Sequence, residues 1–283
     1  MKSVVVTGVS TGIGWATAKV LAGRGFHVFG SVRKMADAER LVAELGSRFT
    51  PLVFDVTDEA GVRRGADEVR TALGGQRLAG LVNNAGIAVP GPVLELTPSD
   101  FRRQLDVNVI GTITVTQAFA PLLGTDASLS GARGRIVMMS SIAGKRGDPF
   151  MSAYVASKHA LEGFSESLRR ELMLYGIDVI VIGPGPVRTP IWTKAETADM
   201  AANTASPYHA ALVKARDLTA EMEQIALPPE RVGELVHKVL TIRRPKVRYA
   251  IVPDRLEAFG AAILPKRIVD RITAFLLGIK PPK

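Results

Sequence analysis

Tyr154 and Lys158 lie four residues apart, in the stretch from Ser140 to Lys158 that reads Ser-Ser-Ile-Ala-Gly-Lys-Arg-Gly-Asp-Pro-Phe-Met-Ser-Ala-Tyr-Val-Ala-Ser-Lys. On a helix this spacing sets a phenol and an ammonium on one face. A phenol titrates near pH 10 and is a poor base at neutral pH. A fixed positive charge beside it favours the phenolate and lowers that value. Reaching about 7 to 8 requires roughly 3 to 4 kcal/mol of differential stabilisation, which a lysine and a bound cationic group can supply in a partly dry cleft. Ser141 follows the apolar run 135–140, which reads as a buried strand. A serine at a strand end can hydrogen-bond a substrate oxygen held by the tyrosine. Together the three side chains suit proton transfer at a hydroxyl or carbonyl oxygen. Tyr-x-x-x-Lys by itself equally describes a solvated helix face, so the elements around it decide.

Those elements begin at the first residues. Residues 3–7 form an apolar run that ends in Thr7-Gly8-Val9-Ser10-Thr11-Gly12-Ile13-Gly14, and a helical pattern follows. Strand, glycine turn and helix N-terminus make an anion site, because glycines let the backbone approach a pyrophosphate closely. The second strand, 26–32, ends in Ser31-Val32-Arg33-Lys34, with no acid before Asp37. An acid there would bind a ribose hydroxyl; a guanidinium instead grips a 2′-phosphate. The cofactor expected is therefore NADP, with NAD as the alternative.

Further strands are expected at 51–55, 78–82, 136–140, 177–182 and 247–252. Helices are expected at 36–45, 58–73, 98–123, 152–175 and 228–240. Gly183-Pro184-Gly185-Pro186 is expected to break the sixth strand. Asn108 is a poor helix former among apolar neighbours, so it should be hydrogen-bonded or kink its helix. Strand and helix alternate, which implies an α/β fold: a doubly wound, mainly parallel sheet of the Rossmann type with helices on both faces. Residues 1–253 read as one catalytic domain in which 191–227 form a lid segment. Residues 254–283 read as a basic amphipathic extension.

Composition narrows the partners. The 283 residues contain no cysteine, which excludes disulfides and thiol chemistry and fits a reducing, cytoplasmic setting. His27, His159, His209 and His237 show no metal-ligand spacing, so no metal is expected. No signal peptide precedes the first strand, and no apolar run reaches about 18 residues. The net charge is +9, and the segment from Arg243 to Lys283 carries +7 of it. Ile268, Ile272, Phe275, Leu276 and Ile279 have helical spacing, with Lys266, Arg267 and Arg271 between them. This pattern suits a peripheral membrane contact or docking on protein. The basic segment's one tyrosine, Tyr249, falls in an expected strand, so nucleic acid is not an expected partner.

These residues together resemble the short-chain dehydrogenase/reductase superfamily, in its classical branch. Thr7-Gly8-x-x-x-Gly12-Ile13-Gly14 matches its cofactor loop, and Asn83-Asn84-Ala85-Gly86 its sheet-stabilising element. Asn108, Ser141, Tyr154 and Lys158 match its catalytic tetrad, and Pro184-Gly185-x-x-x-Thr189 its nicotinamide segment. The serine–tyrosine separation selects Ser141 over Ser140. The stretch from Tyr154 to Leu172, with the basic extension, is similar to the retinol and hydroxysteroid dehydrogenase members; Gly183 before Pro184-Gly185 departs from them.

The resemblance implies hydride transfer between NADP(H) and a secondary alcohol or ketone. Tyr154 would exchange the proton, Ser141 would orient the reacting oxygen, and Lys158 would lower the tyrosine pKa and hold ribose hydroxyls. Asn108 would anchor a water; bracing of its helix is the simpler alternative. Cofactor contacts are expected from Gly8, Ser10, Thr11, Gly12, Ile13, Gly14, Arg33, Ala85, Gly86, Pro184, Gly185, Val187 and Thr189. Asp55 and Val56 would meet adenine, and Asn83 would position the ribose through its backbone. Phe150, Met151, Ile191, Trp192, Met200 and Tyr208 would make an apolar pocket for a steroid-, retinoid- or long-chain-like substrate. A non-catalytic cofactor-binding regulator or membrane-surface protein is the alternative, and it predicts a broken tetrad. The helices at 98–123 and 152–175 resemble the family's dimer-forming pair, implying a homodimer or homotetramer.

Overall fold

The computed structural model of the protein describes residues 1–191, 203–253 and 264–279. The strands are β1 (Ser3–Val6), β2 (His27–Val32), β3 (Phe49–Val53), β4 (Gly80–Asn83), β5 (Arg135–Met139), β6 (Asp178–Pro184) and β7 (Arg248–Ile251). They form one sheet in the order β3-β2-β1-β4-β5-β6-β7, and every neighbouring pair is parallel. The helices are α1 (Gly12–Gly23), α2 (Met35–Leu45), α3 (Glu59–Leu73), α4 (Pro98–Leu105), α5 (Gly111–Ala120), α6 (Ser152–Glu171), α7 (His209–Ile225), α8 (Pro229–Thr241) and α9 (Lys266–Leu277).

Two cores follow from the period-two alternation of the strands. Val4, Val6, Val28 and Ile182 face α1 and α8 on one side, where Leu21, Val232 and Val236 meet them. Val5, Phe29, Ile136 and Val181 face α3 and α5 on the other, against Val62, Val69, Val115 and Phe119. Strands buried on both faces read as near-continuous apolar runs. The chain reverses direction across the sheet between β1 and β4, and a crevice opens there at the strands' carboxyl ends.

Several expected boundaries move. β3 starts at Phe49 and ends at Val53, not at 51–55. It is an edge strand, where Pro51 and its missing N–H are tolerated. Pro184 does not break β6, which runs through it and pairs with Ile251. Pairing with β5 stops at Ile182, so Pro184 removes no bond on that side. The long helix expected at 98–123 is α4 and α5 joined by a π-helical turn, Asp106–Ile110. The stretch Pro98–Thr125 is long and apolar enough to cross a membrane by length and composition, which the search for one continuous run did not suggest. Half of its apolar window is buried within the protein, as in a core helix. Within 191–227, where the helical pattern is weak, residues 209–225 form a full helix, α7.

Candidate active site

The glycine turn joins β1 to α1. Gly8 and Gly12 adopt φ of 71° and 62°, the left-handed region that favours glycine. A side chain at Gly14 would collide with the main-chain oxygen of Gly8 and with Nδ2 of Asn84. The side chain of Thr11 does not cap α1, and no acid occupies the helix's first turn, which lines the cleft. This donor set fits an anionic group such as a pyrophosphate. The turn is tied to its surroundings. Thr7 Oγ1 accepts from the main-chain N–H groups of Asn84 and Ala85, both at 3.0 Å. Asn84 Nδ2 donates to the oxygens of Thr7 and Gly8, and the Gly8 N–H donates to Ser31 Oγ.

A cleft of about 520 Å³ runs over the strand ends. One end holds Arg33, Lys34 and Asp37; Asp55, Val56 and the glycine turn follow; Ser141, Tyr154, Lys158 and Thr189 close the other end. That volume lies within the range of cofactor sites. Gly8, Ser10, Thr11, Gly12, Ile13, Gly14, Arg33, Asp55, Val56, Ala85, Gly86, Pro184, Gly185, Val187 and Thr189 all line it, as expected. Asn83 does not line it: its Nδ2 donates to Thr116 Oγ1 and Met138 Sδ inside the core. Asn84, the other amide of the pair, takes the place at the cleft. Arg33 is 71% exposed and 3.8 Å from Asp55. Such a surface pair is worth little, so the guanidinium can meet a phosphate at small cost.

Tyr154 and Lys158 lie on the buried face of α6. Lys158 Nζ is 5.6 Å from the tyrosine ring centre and donates to the Met139 carbonyl at 2.8 Å. Burial pushes the Tyr154 pKa up; a hydrogen bond with Ser141 opposes this, and Asp148 adds to it. Burial thus favours the neutral phenol, whereas Lys158 together with a bound cationic group is expected to favour the phenolate. Burial also lowers Lys158, to about 8, against the charge of Glu162, which raises it. Ser140 and Ser141 both line the cleft; Ser140 Oγ donates to Glu162 at 2.8 Å, and Ser141 Oγ accepts from the Ala143 N–H at 3.1 Å.

Asn108 sits in the π-helical turn and is buried. Its Oδ1 accepts from the Ile87 N–H, and its Nδ2 donates to the Ile87 oxygen and to Ser157 Oγ. Its side chain does not line the cleft. The bracing alternative therefore describes this side chain: it fixes the segment after β4 against α6.

The expected substrate wall is partly replaced. Ile191 lines the cleft. Phe150 and Tyr208 instead pack edge to face at 5.9 Å, in a cluster with Ala211, Leu212 and Leu277. Met151 does not line the cleft. Trp192 and Met200 lie outside the described residues. Ile87, Ala88, Val89, Val107 and Arg103 line it although the sequence reading missed them. Their only signal was position: Ile87, Ala88 and Val89 directly follow Gly86, Val107 adjoins Asn108, and Arg103 lies five residues before it.

Phosphate donors at one end of a cleft and a proton-holding phenol at the other are the parts of a nicotinamide-dependent oxidoreductase. Comparison with known proteins makes the class specific: the short chain dehydrogenase family matches residues 2–200, and the chain belongs to that family. It is 38% identical to the NADPH-dependent 3-dehydrocapnine reductase of Ornithobacterium rhinotracheale, over 96% of each chain. It is 33% identical to retinol dehydrogenase 5 of Mus musculus, over 97% of this chain and 88% of that one. Among solved structures, a short chain dehydrogenase/reductase from Burkholderia phymatum in complex with NAD is similar at a TM-score of 0.77. It shares 26% identity over 96% of this chain and 95% of that one. The protein is thus an NAD(P)-dependent dehydrogenase/reductase.

Proposed function

We propose that the protein reduces a lipophilic ketone to a secondary alcohol with NADPH. The observation that carries this reading is the buried phenol of Tyr154, which shares the cleft with Ser141 and is kept protonated by burial. A reduction needs a proton donor at the carbonyl oxygen, and a neutral phenol is one. The nicotinamide, when bound, supplies the hydride. Ser141 holds the carbonyl oxygen in line with Tyr154 and stabilises charge that develops there. Lys158, charged below about pH 8, supports the tyrosinate left after proton transfer. The turn from Gly8 to Gly14 would hold the pyrophosphate, Asp55 and Val56 the adenine, and Pro184 to Thr189 the nicotinamide end.

Arg33 supports NADPH, as does the name of the 38% identical reductase. Ile87, Ala88, Val89, Val107, Val187 and Ile191 support an apolar substrate of steroid, retinoid or long-chain shape. Exposed Ile110, Met173 and Leu174, on and just after the helices of the expected dimer pair, support a homodimer or homotetramer. A peripheral contact of α9 with an anionic membrane completes the reading. NADPH and NADH oxidation with a panel of ketones, with Tyr154→Phe as control, tests it. NADPH-linked turnover of apolar ketones that falls at least a hundredfold in the variant is expected. Turnover confined to small polar sugars would remove the lipophilic reading, and no turnover of any carbonyl would remove the reductase.

A further inference from the structure

Glu162 is two turns beyond Tyr154 and one beyond Lys158, on the same face of α6, and its side chain is only 7% exposed. An isolated buried carboxylate is costly, and this one is saturated. It accepts from Ser140 Oγ at 2.8 Å and from Arg248 Nε at 3.1 and 3.0 Å on its two oxygens. Lys145 Nζ lies at 3.5 Å. Arg248, from β7, also donates through Nη2 to the main-chain oxygen of Ser141 at 3.4 Å. One pair, of buried Glu162 and half-buried Arg248, therefore joins α6, β7, the end of β5 and the segment after it.

The backbone leaves room for this pair. A side chain at Gly183 would come within 2.6 Å of Arg248 Nη2. One at Gly144 would come within 2.7 Å of Ser140 Oγ and 3.0 Å of Glu162 Cγ. Gly183, a departure from the family pattern, thus has a physical reason in this chain: the guanidinium passes where a side chain would stand.

We propose that Glu162 and Arg248 are positioning residues of the reduction, fixing Ser141 through its carbonyl and holding Lys158 in its charged form. The inference rests on the reductase reading. Glu162 faces Lys158 from the next turn, and its charge opposes the lysine's desolvation. The other titratable groups about Lys158 are Tyr154 on α6, Lys145 and Asp148 after β5, Arg248 on β7, and Arg103 in the same cleft. Besides Glu162, Asp148 carries negative charge here, and Asp37 and Asp55 line the same cleft; Glu162 is the one whose charge acts on Lys158.

The test is kcat/KM for the ketone against pH in the full-length enzyme, with the KM for NADPH and the melting temperature measured alongside. Glu162→Gln keeps the shape and removes the charge. Its alkaline limb is expected to move about one pH unit down, with turnover about tenfold lower and KM for NADPH unchanged. Arg248→Met is expected to lower turnover similarly without moving the limb down, because it removes a positive charge. An unmoved limb in Glu162→Gln, with turnover within twofold of wild type and only a lower melting temperature, would overturn the proposal. If Glu162→Gln does not fold, Arg248→Lys is decisive: it keeps the charge and shortens the reach to Ser141. Its turnover should fall with the limb in place, and wild-type turnover would overturn the proposal. Absence of turnover in the wild type would instead strike the reductase reading.

Discussion

At the scale of the residue, the site balances burial against charge. Lys158 is buried, and its pKa falls from 10.5 in the free side chain to about 8. The folded protein holds this proton less tightly than the unfolded chain, so stability is lowest below about pH 8 and rises between about 8 and 10.5. On the proposed mechanism a charged lysine is needed for turnover, and its burial costs stability at neutral pH. Lys158→Met should therefore raise stability by about 1 to 2 kcal/mol while abolishing turnover; thermal melts at pH 7 with parallel assays check both. Equal or lower stability would show that the bond to the Met139 carbonyl outweighs the desolvation. Arg33 carries a separate expectation. Arg33→Ser should raise the KM for NADPH about tenfold or more and leave that for NADH nearly unchanged, since only one cofactor has the extra phosphate. Equal losses for both would assign Arg33 to adenine. The residue types and spacings of Ser141, Tyr154, Lys158 and Arg33 were legible in the chain. The protonated state of Tyr154 was not, because desolvation depends on what packs over the phenol.

At the scale of the element, alternation of strand and helix sufficed to anticipate the parallel sheet, since strands buried on both faces leave long apolar runs. Local rules failed where tertiary context overrode them. Proline reads as a strand breaker, yet Pro51 lies on an edge and Pro184 projects past the paired end of β5. The two adjacent amides Asn83 and Asn84 look alike in sequence, but strand alternation turns one into the core and the other to the glycine turn. Asn108 shows how an element can serve the site without touching substrate. Its three bonds lock the segment after β4, which forms the cleft wall, to α6, which carries Tyr154 and Lys158. Asn108→Ala removes the acceptor of the Ile87 N–H and the tie to Ser157, while the Ile87 carbonyl keeps its bond from Gln104; the loss is about 1 to 3 kcal/mol. Denaturant unfolding should show that loss, and bound dinucleotide should recover part of it by linkage. A variant with wild-type stability would return Asn108 to the water-anchoring role.

At the scale of the whole molecule, the tail helix α9 presents two different faces. Helix α9 turns Val269, Thr273 and Leu277 inward, and Leu277 is buried among Phe150, Ala211 and Leu212 at helix α7. On its opposite side Ile268, Ile272 and Phe275 are exposed, the last at 84%, with Arg267 and Arg271 along one edge. Docking on protein and contact with a membrane are thus compatible, because they use different faces of one helix. Phe150 also has a φ of 64°, an unfavourable conformation for a bulky residue, which only firm packing sustains. On the proposed function, a helix that rests on α7 from one side and on a bilayer from the other would bring an apolar substrate to the protein from the membrane. Phe275→Glu places a charge on the outward stripe and leaves the inward face alone. It should reduce co-sedimentation with vesicles containing anionic lipid by tenfold or more, while turnover of a dispersed ketone stays within about twofold. Wild-type binding to neutral and anionic vesicles should also differ and weaken with salt, because the basic edge acts through screened charge. If Phe275→Glu instead halves the particle mass in solution and vesicle binding is absent in the wild type, the stripe is a subunit interface, and substrate enters from water.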